Sequence, residues 1–317
     1  MTQSSQSQSP AAISRPQFLH WCALSALVVL WGSRFYAVEI ALIAFTPLTI
    51  VFFQIVIASA VLYLVLRIRG ARLPRDLRSW LFFNAMALIG NVLPFFLESW
   101  GQIALDSSLV GILLSVSPLS VLLLAHWLLP DERATGLRAM GFLFGLVGVV
   151  LLTGPDALRA VGGNVTSIIS QLAILLAAVC YGLAAVITRL APQHPPLVVA
   201  SAVMVAAAMQ MVPIWLWQSG MPDWSTVGLS SVLAIIGIGI FCTALAAVVF
   251  FFLVAHTGAT FQSLVNYLLP VWALGIGTSL LDEPVPENGL LALAFIMVSL
   301  WLTQPRPAAP ETQSPTT

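Results

Sequence analysis

Long apolar runs separated by short polar breaks dominate the chain, and a spanning helix needs about 20 mostly apolar residues. Ten runs meet that rule, near residues 19–38, 47–66, 80–100, 107–128, 136–153, 167–189, 197–217, 228–255, 258–281 and 287–303. The fifth and tenth are short. Only the neighbourhood of His256, Thr257 and Gly258 parts the eighth from the ninth, so a nine-helix reading competes with ten, and ten fits better. The pattern predicts an all-α polytopic membrane protein with ten transmembrane helices.

Composition points the same way. Hydrophobic residues make up 59% of the 317 positions and charged residues 8%, against about 25% charged in a soluble globular domain. Such a chain cannot cover a water-facing surface, whereas a lipid bilayer accepts an apolar exterior. With no net charge and one basic loop, nucleic acid is excluded as a partner; the partners expected are the bilayer and a small-molecule substrate. Cys22, Cys180 and Cys242 fall in separate apolar stretches and form neither a disulfide framework nor a metal-ligand spacing, so no metal or cofactor is expected. Residues 1–17 and 305–317 are polar and proline-rich and read as disordered tails. Arg15 and the run from Leu19 have the look of a signal peptide, but no small-x-small cleavage site follows, and an uncleaved first helix is the better reading.

All twelve basic residues are arginine. With ten spans and the N-terminus inside, ten of them fall in inner loops or tails and only Arg159 in an outer loop, while Arg34 lies within the first span. Basic loop residues resist translocation. The five arginines from Arg67 to Arg78 carry most of this bias, which predicts an inner-membrane protein with both termini cytoplasmic. Trp80, Trp215 and Trp217 sit at run ends, where indoles suit the membrane interface.

The two halves repeat. Trp31-Gly32 aligns with Tyr181-Gly182, Ser117-Pro118 with Leu269-Pro270, and Asp131-Glu132 with Asp282-Glu283, at offsets of 150, 152 and 151 residues. Residues 18–157 would hold helices 1–5 and residues 158–304 helices 6–10. Five is odd, so the second half must run inverted to the first. Inverted repeats suit alternating access, in which one arrangement rocks against its mirror image.

The motif Trp31-Gly32-Ser33-x-Phe35-x-Ala37, the stretch Ser115-Val116-Ser117-Pro118 leading to Leu129-x-x-Glu132-Arg133, and Gly141-x-x-x-Gly145-x-x-Gly148 resemble one EamA domain. Tyr181-Gly182 through Arg189, then Leu269-Pro270 through Asp282-Glu283, resemble a second. The chain is thus similar over residues 19–303 to EamA members of the drug/metabolite transporter superfamily. That resemblance implies a ten-helix inverted repeat and export of metabolites such as amino acids. Two positions depart from the pattern: Glu39 stands where a basic residue is common, and Gln54 where an arginine is.

Polar residues within apolar runs are the candidate transport groups. Asn84, Asn91 and Glu98 recur every seven residues, which drifts only about 20° per step. They form one stripe, extended by Gln102, that must face the protein interior, since a central charge costs roughly 2.5–3.5 kcal/mol on insertion scales. Interhelical bonding explains the asparagines at least as well as substrate contact. Arg34 and Glu98 match in depth. A fixed structural pair is the plainer reading. In a sharper one they bracket a zwitterion, Arg34 on the carboxylate and Glu98 on the ammonium. In another Glu98 is a proton site, because burial favours a neutral carboxyl group. Trp31, Tyr181, Asn266 and Tyr267 complete the candidate pathway. Pro118 and Pro270, symmetry mates in the fourth and ninth helices, are candidate hinges, with static kinks the plain alternative. Gly141-x-x-x-Gly145 suits close helix packing, within the fold or between two copies, which leaves monomer and homodimer open.

No hydrolytic constellation and no phosphate-binding glycine loop with lysine is present, which argues against an enzyme and against transport driven by hydrolysis. What remains is a secondary transporter or facilitator that exports small metabolites, amino acids first. The alternative is a proton-coupled exporter of lipophilic cations, which would require an unpaired membrane carboxylate.

Overall fold

The computed structural model describes residues 16–105, 107–129, 134–159, 161–189, 194–218, 222, 224–280 and 288–303. Residues 1–15 and 304–317, almost the whole of both tails, lie outside this set, as do Pro130 to Arg133 and Asp282-Glu283. Every regular element among the described residues is helical.

The helices are α1 (Phe18–Leu42), α2 (Pro47–Ile68), α3 (Leu77–Gly101), α4 (Ser107–Leu114 and Ser117–Leu128), α5 (Gly136–Arg159), α6 (Val165–Arg189) and α7 (Pro196–Gln218). The run Leu229–Ser263 is helical throughout by hydrogen bonding, but Gly258 inside it has φ 87° and ψ 168°. Only glycine takes that backbone conformation readily. The chain turns there, so 229–257 form α8 and 259–280, with a hitch at Leu264, form α9. A last helix, α10, spans Gly289–Thr303. By length and composition seven helical stretches can each cross a bilayer, and the shorter apolar helices Gly136–Leu151 and Leu291–Thr303 complete the bundle. The structure is an all-α polytopic membrane fold.

Contacts between helices keep the same pattern when the halves are exchanged. Helix α3 packs on α6 as α8 packs on α1, α4 on α6 as α9 on α1, and α3 on α7 as α8 on α2. The pairs α2–α7 and α5–α10 map onto themselves. With five helices per half, this is the inverted repeat.

The glycine stripe of α5 is used inside the fold. A Cβ on Gly145 would stand 2.6 Å from the Tyr267 ring and 2.7 Å from the Ser299 hydroxyl, and one on Gly148 would lie 3.0 Å from the Ala292 carbonyl oxygen. Lipid gives no hydrophobic drive to join helices, so close packing of this kind is what holds α5 to α10. Trp215 is not at a lipid interface: it is buried, stacked on Phe52 at 4.0 Å, and donates to the Thr49 hydroxyl at 3.2 Å. Trp217 is exposed.

Two helices are wound more loosely at matching positions. Residues Leu88–Val92 of α3 and Ile238–Leu245 of α8 are π-helical, and at the repeat offset they coincide. In α3 the cause is local, since Pro94 has no N–H to donate back to the Gly90 carbonyl. Such wide turns are frequent at functional sites. Pro118 stands in the first turn of the second piece of α4, after a break at residues 115–116. Proline costs no hydrogen bond there, so it opens a helix rather than kinking one. Pro213 lies inside α7, as Pro94 lies inside α3 and Pro270 inside α9.

Candidate functional site: a polar cavity between the repeats

The Trp-Gly and Tyr-Gly pairs show how the sequence builds a cavity. A Cβ on Gly182 would lie 2.8 Å from Ser120 Cβ, with backbone atoms of Val121 and Ser117 at 3.2 and 3.3 Å. Its mate Gly32 is pressed in the same way against the Trp272 indole, and Ser120 and Trp272 are themselves repeat partners. Each glycine lets α4 or α9 approach closely, which leaves the preceding aromatic, Tyr181 or Trp31, facing the space between the repeats.

That space is a cavity of about 90 Å³, several times what one water molecule requires. Helices α1, α3 and α4 line it from the first half and their mates α6, α8 and α9 from the second, with Met204 of α7 added. Most of the wall is apolar: Phe35, Met86, Phe95, Leu114, Val121, Phe250, Phe251 and Leu269. Polar groups are few and come from both repeats: Arg34, Asn91, Glu98 and Ser117, then Tyr181, Thr243, Gln262, Ser263 and Asn266. A largely apolar wall with a few placed polar groups is the usual make-up of a small-molecule site.

The charges are on one side. Arg34 Nη1 pairs with Glu98 Oε1, and both side chains are at most 5% exposed. Tyr181 donates its hydroxyl to the other carboxylate oxygen at 2.7 Å. The guanidinium lies over the Phe95 ring, 5.0 Å from its centroid. Nε and Nη2 of Arg34 have no hydrogen-bond partner, nor does the Thr243 hydroxyl. At the repeat offsets of 150 to 152 residues, Ala184 to Val186 stand opposite Arg34 and Val248 to Phe250 opposite Glu98, all uncharged, so among the described lining residues only the first half brings ionised groups to the cavity. A buried ion pair seldom stabilises a fold more than apolar residues of equal volume would. Ionisable residues in a membrane bundle are rare, which makes this pair the first candidate for a functional position.

Of the residues singled out from sequence, Trp31, Arg34, Asn91, Glu98, Tyr181 and Asn266 meet at this cavity, and Tyr267 does not. Tyr267 is fully buried and donates to the Phe142 carbonyl at 2.9 Å, on the α5 side of α9. Neighbouring helical residues point about 100° apart, so Asn266 facing the cavity turns Tyr267 away. The α3 stripe also divides. Asn91 lines the cavity and donates back to the Met86 carbonyl within the wide turn. Asn84 instead binds Gln210 of α7 at 3.1 Å, and Gln102 lies outside the lining. The π segment between Asn84 and Asn91 shifts the register that an unbroken 3.6-residue helix would keep, and Gln102 lies just past the end of α3 at Gly101. Glu39 is exposed. Pro118 is buried beside the lining residue Ser117, and the side chain of Pro270 lies outside the described residues. Cys242, Thr243, Gln262 and Met204 line the cavity as well. Of these, Gln262 was legible as a companion of Asn266 one turn away; the others carry no signal in an apolar run.

An inverted pair of five-helix repeats enclosing such a cavity defines a multi-pass membrane transporter. The chain belongs to the EamA-like transporter family, whose model matches it twice, over residues 20–154 and 168–304. Among its relatives is the uncharacterized transporter YoaV of Bacillus subtilis, 22% identical over 87% of this chain and 94% of that protein. The uncharacterized inner membrane transporter YedA of Escherichia coli is 26% identical over 88% and 89% of the respective chains. A probable terminal-alkyne amino-acid exporter of Streptantibioticus cattleyicolor is 25% identical over 87% and 91%. A solved crystal structure matches the fold with a TM-score of 0.74 at 21% identity, covering 90% of this chain and 96% of its own.

Proposed function

We propose that this protein exports small metabolites, amino acids before others, as a secondary transporter or facilitator working by alternating access. The observation that carries the reading is the buried Arg34–Glu98–Tyr181 cluster on a cavity walled by mate helices of both repeats. Arg34 receives the substrate carboxylate, and the aromatic and aliphatic wall receives the side chain. Glu98 is the counter-charge of Arg34 and the candidate proton site. The breaks ahead of Pro118 and at Leu264, with Pro270 beyond the latter, are where α4 and α9 can bend as the cavity changes sides. The arginine bias supports a bacterial inner membrane with both termini cytoplasmic, and the amino-acid exporter among the relatives supports the substrate class.

A proton-coupled exporter of lipophilic cations is the second reading. It needs a carboxylate free to meet a cation, whereas Glu98 has both oxygens engaged. Reconstituted flux of amino acids and of lipophilic cations, with and without a pH gradient, separates the two. Amino-acid flux that persists without the gradient identifies a facilitator, and flux that collapses identifies coupling. Flux of cations alone refutes the amino-acid reading.

A further inference from the structure

We infer that the cavity selects substrates by their carboxylate alone, through the free edge of Arg34, and does not use Glu98 to read an ammonium group. The inference rests on the transporter reading above and narrows its substrate class to small carboxylates with an apolar body, amino group optional.

The geometry of the guanidinium is the first argument. Its five N–H groups lie in a rigid plane. Nη1 is spent on Glu98, but Nε and Nη2 are without partners. These two nitrogens form the side-on fork, whose spacing matches the two oxygens of a carboxylate. Arg34 is 4% exposed and lines the cavity. Buried donors left unpaired are costly, so an arriving carboxylate satisfies a standing deficit.

Glu98 is in the opposite condition. One oxygen accepts from Arg34 and the other from Tyr181 at 2.7 Å. Its charge is already neutralised by the guanidinium in contact with it. An ammonium group approaching Glu98 therefore meets a dipole rather than a net charge, with Arg34 repelling it nearby. The remaining polar lining groups, Asn91, Asn266, Gln262, Ser117, Ser263 and Thr243, are uncharged. They can bond an amine or a hydroxyl equally well and do not require either. Among the described lining residues there is no second carboxylate, and the positions matching Glu98 in the other repeat, Val248 to Phe250, are apolar.

The test uses full-length purified protein and three matched probes: phenylalanine, 3-phenylpropanoate, which lacks the amine, and phenylalanine amide, which lacks the carboxylate. Binding is read by quenching of tryptophan fluorescence and by competition among the three. The expected result is that phenylalanine and 3-phenylpropanoate bind within a few-fold of each other. The amide should bind at least about tenfold more weakly, the loss expected for charge-assisted hydrogen bonds. Phenylalanine binding without 3-phenylpropanoate binding overturns the inference and leaves the amino-acid reading standing. Binding of the amide alone overturns both, as does failure of all three to bind. A variant adds an opposite-sign check in protein that remains monodisperse. Glu98→Gln frees Arg34 of its counter-charge, so affinity for both carboxylates should hold or rise, whereas a site that reads ammonium on Glu98 would lose phenylalanine.

Discussion

Replacing Gly182 by alanine perturbs the cavity without altering a polar side chain, and its effect can be worked from contacts. The added Cβ stands 2.8 Å from Ser120 Cβ and 3.2 and 3.3 Å from backbone atoms of α4, where ordinary contact begins at 3.4 Å. Backbone cannot rotate away as a side-chain tip can, so α4 and α6 must part by about 0.6 Å. Overpacking of this kind costs about 1–3 kcal/mol, and the gain in helix propensity from glycine to alanine returns about 1 kcal/mol. The net loss of stability is therefore small, about 0–2 kcal/mol. The site suffers more. Tyr181 is the adjacent residue, and a shift of that size takes its 2.7 Å bond to Glu98 to the edge of hydrogen-bonding range. Loss of a hydrogen bond to a charged group is worth about 1.5–3 kcal/mol, so flux should fall roughly tenfold or more. Gly136→Ala is the control, because nothing lies within 4 Å of its Cβ. Thermal unfolding in detergent and flux in proteoliposomes would be measured on both. If Gly182→Ala matches Gly136→Ala in stability and in flux, the close approach of α4 and α6 does not position Tyr181.

Three further outcomes follow from the same structure. Glu98→Leu leaves the Arg34 charge buried without its partner and should cost about 3–5 kcal/mol, with the Arg34→Met/Glu98→Leu double variant recovering most of it; equal unfolding temperatures of single and double variants would refute the pairing argument. Gly145→Leu should unfold at a markedly lower temperature than the wild type, since the Tyr267 ring of α9 that it meets is held by its bond to Phe142 and Ser299 of α10 stands as close, and an unchanged melting curve would count against the packing of α5 on α9 and α10. At the start of α3, the Asp76 carboxylate caps the helix by accepting from the Ser79 amide at 2.8 Å, and its hydrogen bonds to Ser79 hold its pKa below the ordinary 3.8. A carboxyl group whose folded pKa is depressed stabilises above its unfolded pKa and loses that contribution as pH falls through the folded value. Amide exchange over the first turn of α3, corrected for intrinsic rate, should therefore quicken below that range in the wild type and show no such step in Asp76→Asn.

The fold was legible because the bilayer leaves few alternatives: an apolar run of spanning length must be a helix, and its length is counted in residues. The repeat is read from motifs at a constant offset, and the arginines in loops predict an orientation. Arg34 and Glu98 stood out because charges in such runs are scarce. What the sequence concealed is angular. The seven-residue spacing of Asn84, Asn91 and Glu98 assumes a helix wound at 3.6 residues per turn, and the π segment of α3 breaks that assumption. Asn266 and Tyr267 are adjacent, so the sequence alone does not say which of them faces inward. Cys242 and Met204 look like their apolar neighbours and are distinguished only by where their helices stand. The unpartnered Arg34 fork has no sequence signature either, because it depends on which nitrogen Glu98 takes.

Cys242 offers the most direct measurement of whether substrate passes through this cavity, since it lines the space naturally. In protein with Cys22→Ser and Cys180→Ser, Cys242 is the one thiol left, and a small thiol reagent can be applied while flux is followed in proteoliposomes. Modification should abolish flux, and substrate present during labelling should slow the modification. Complete modification of Cys242 with flux unchanged would place the path elsewhere and contradict the account.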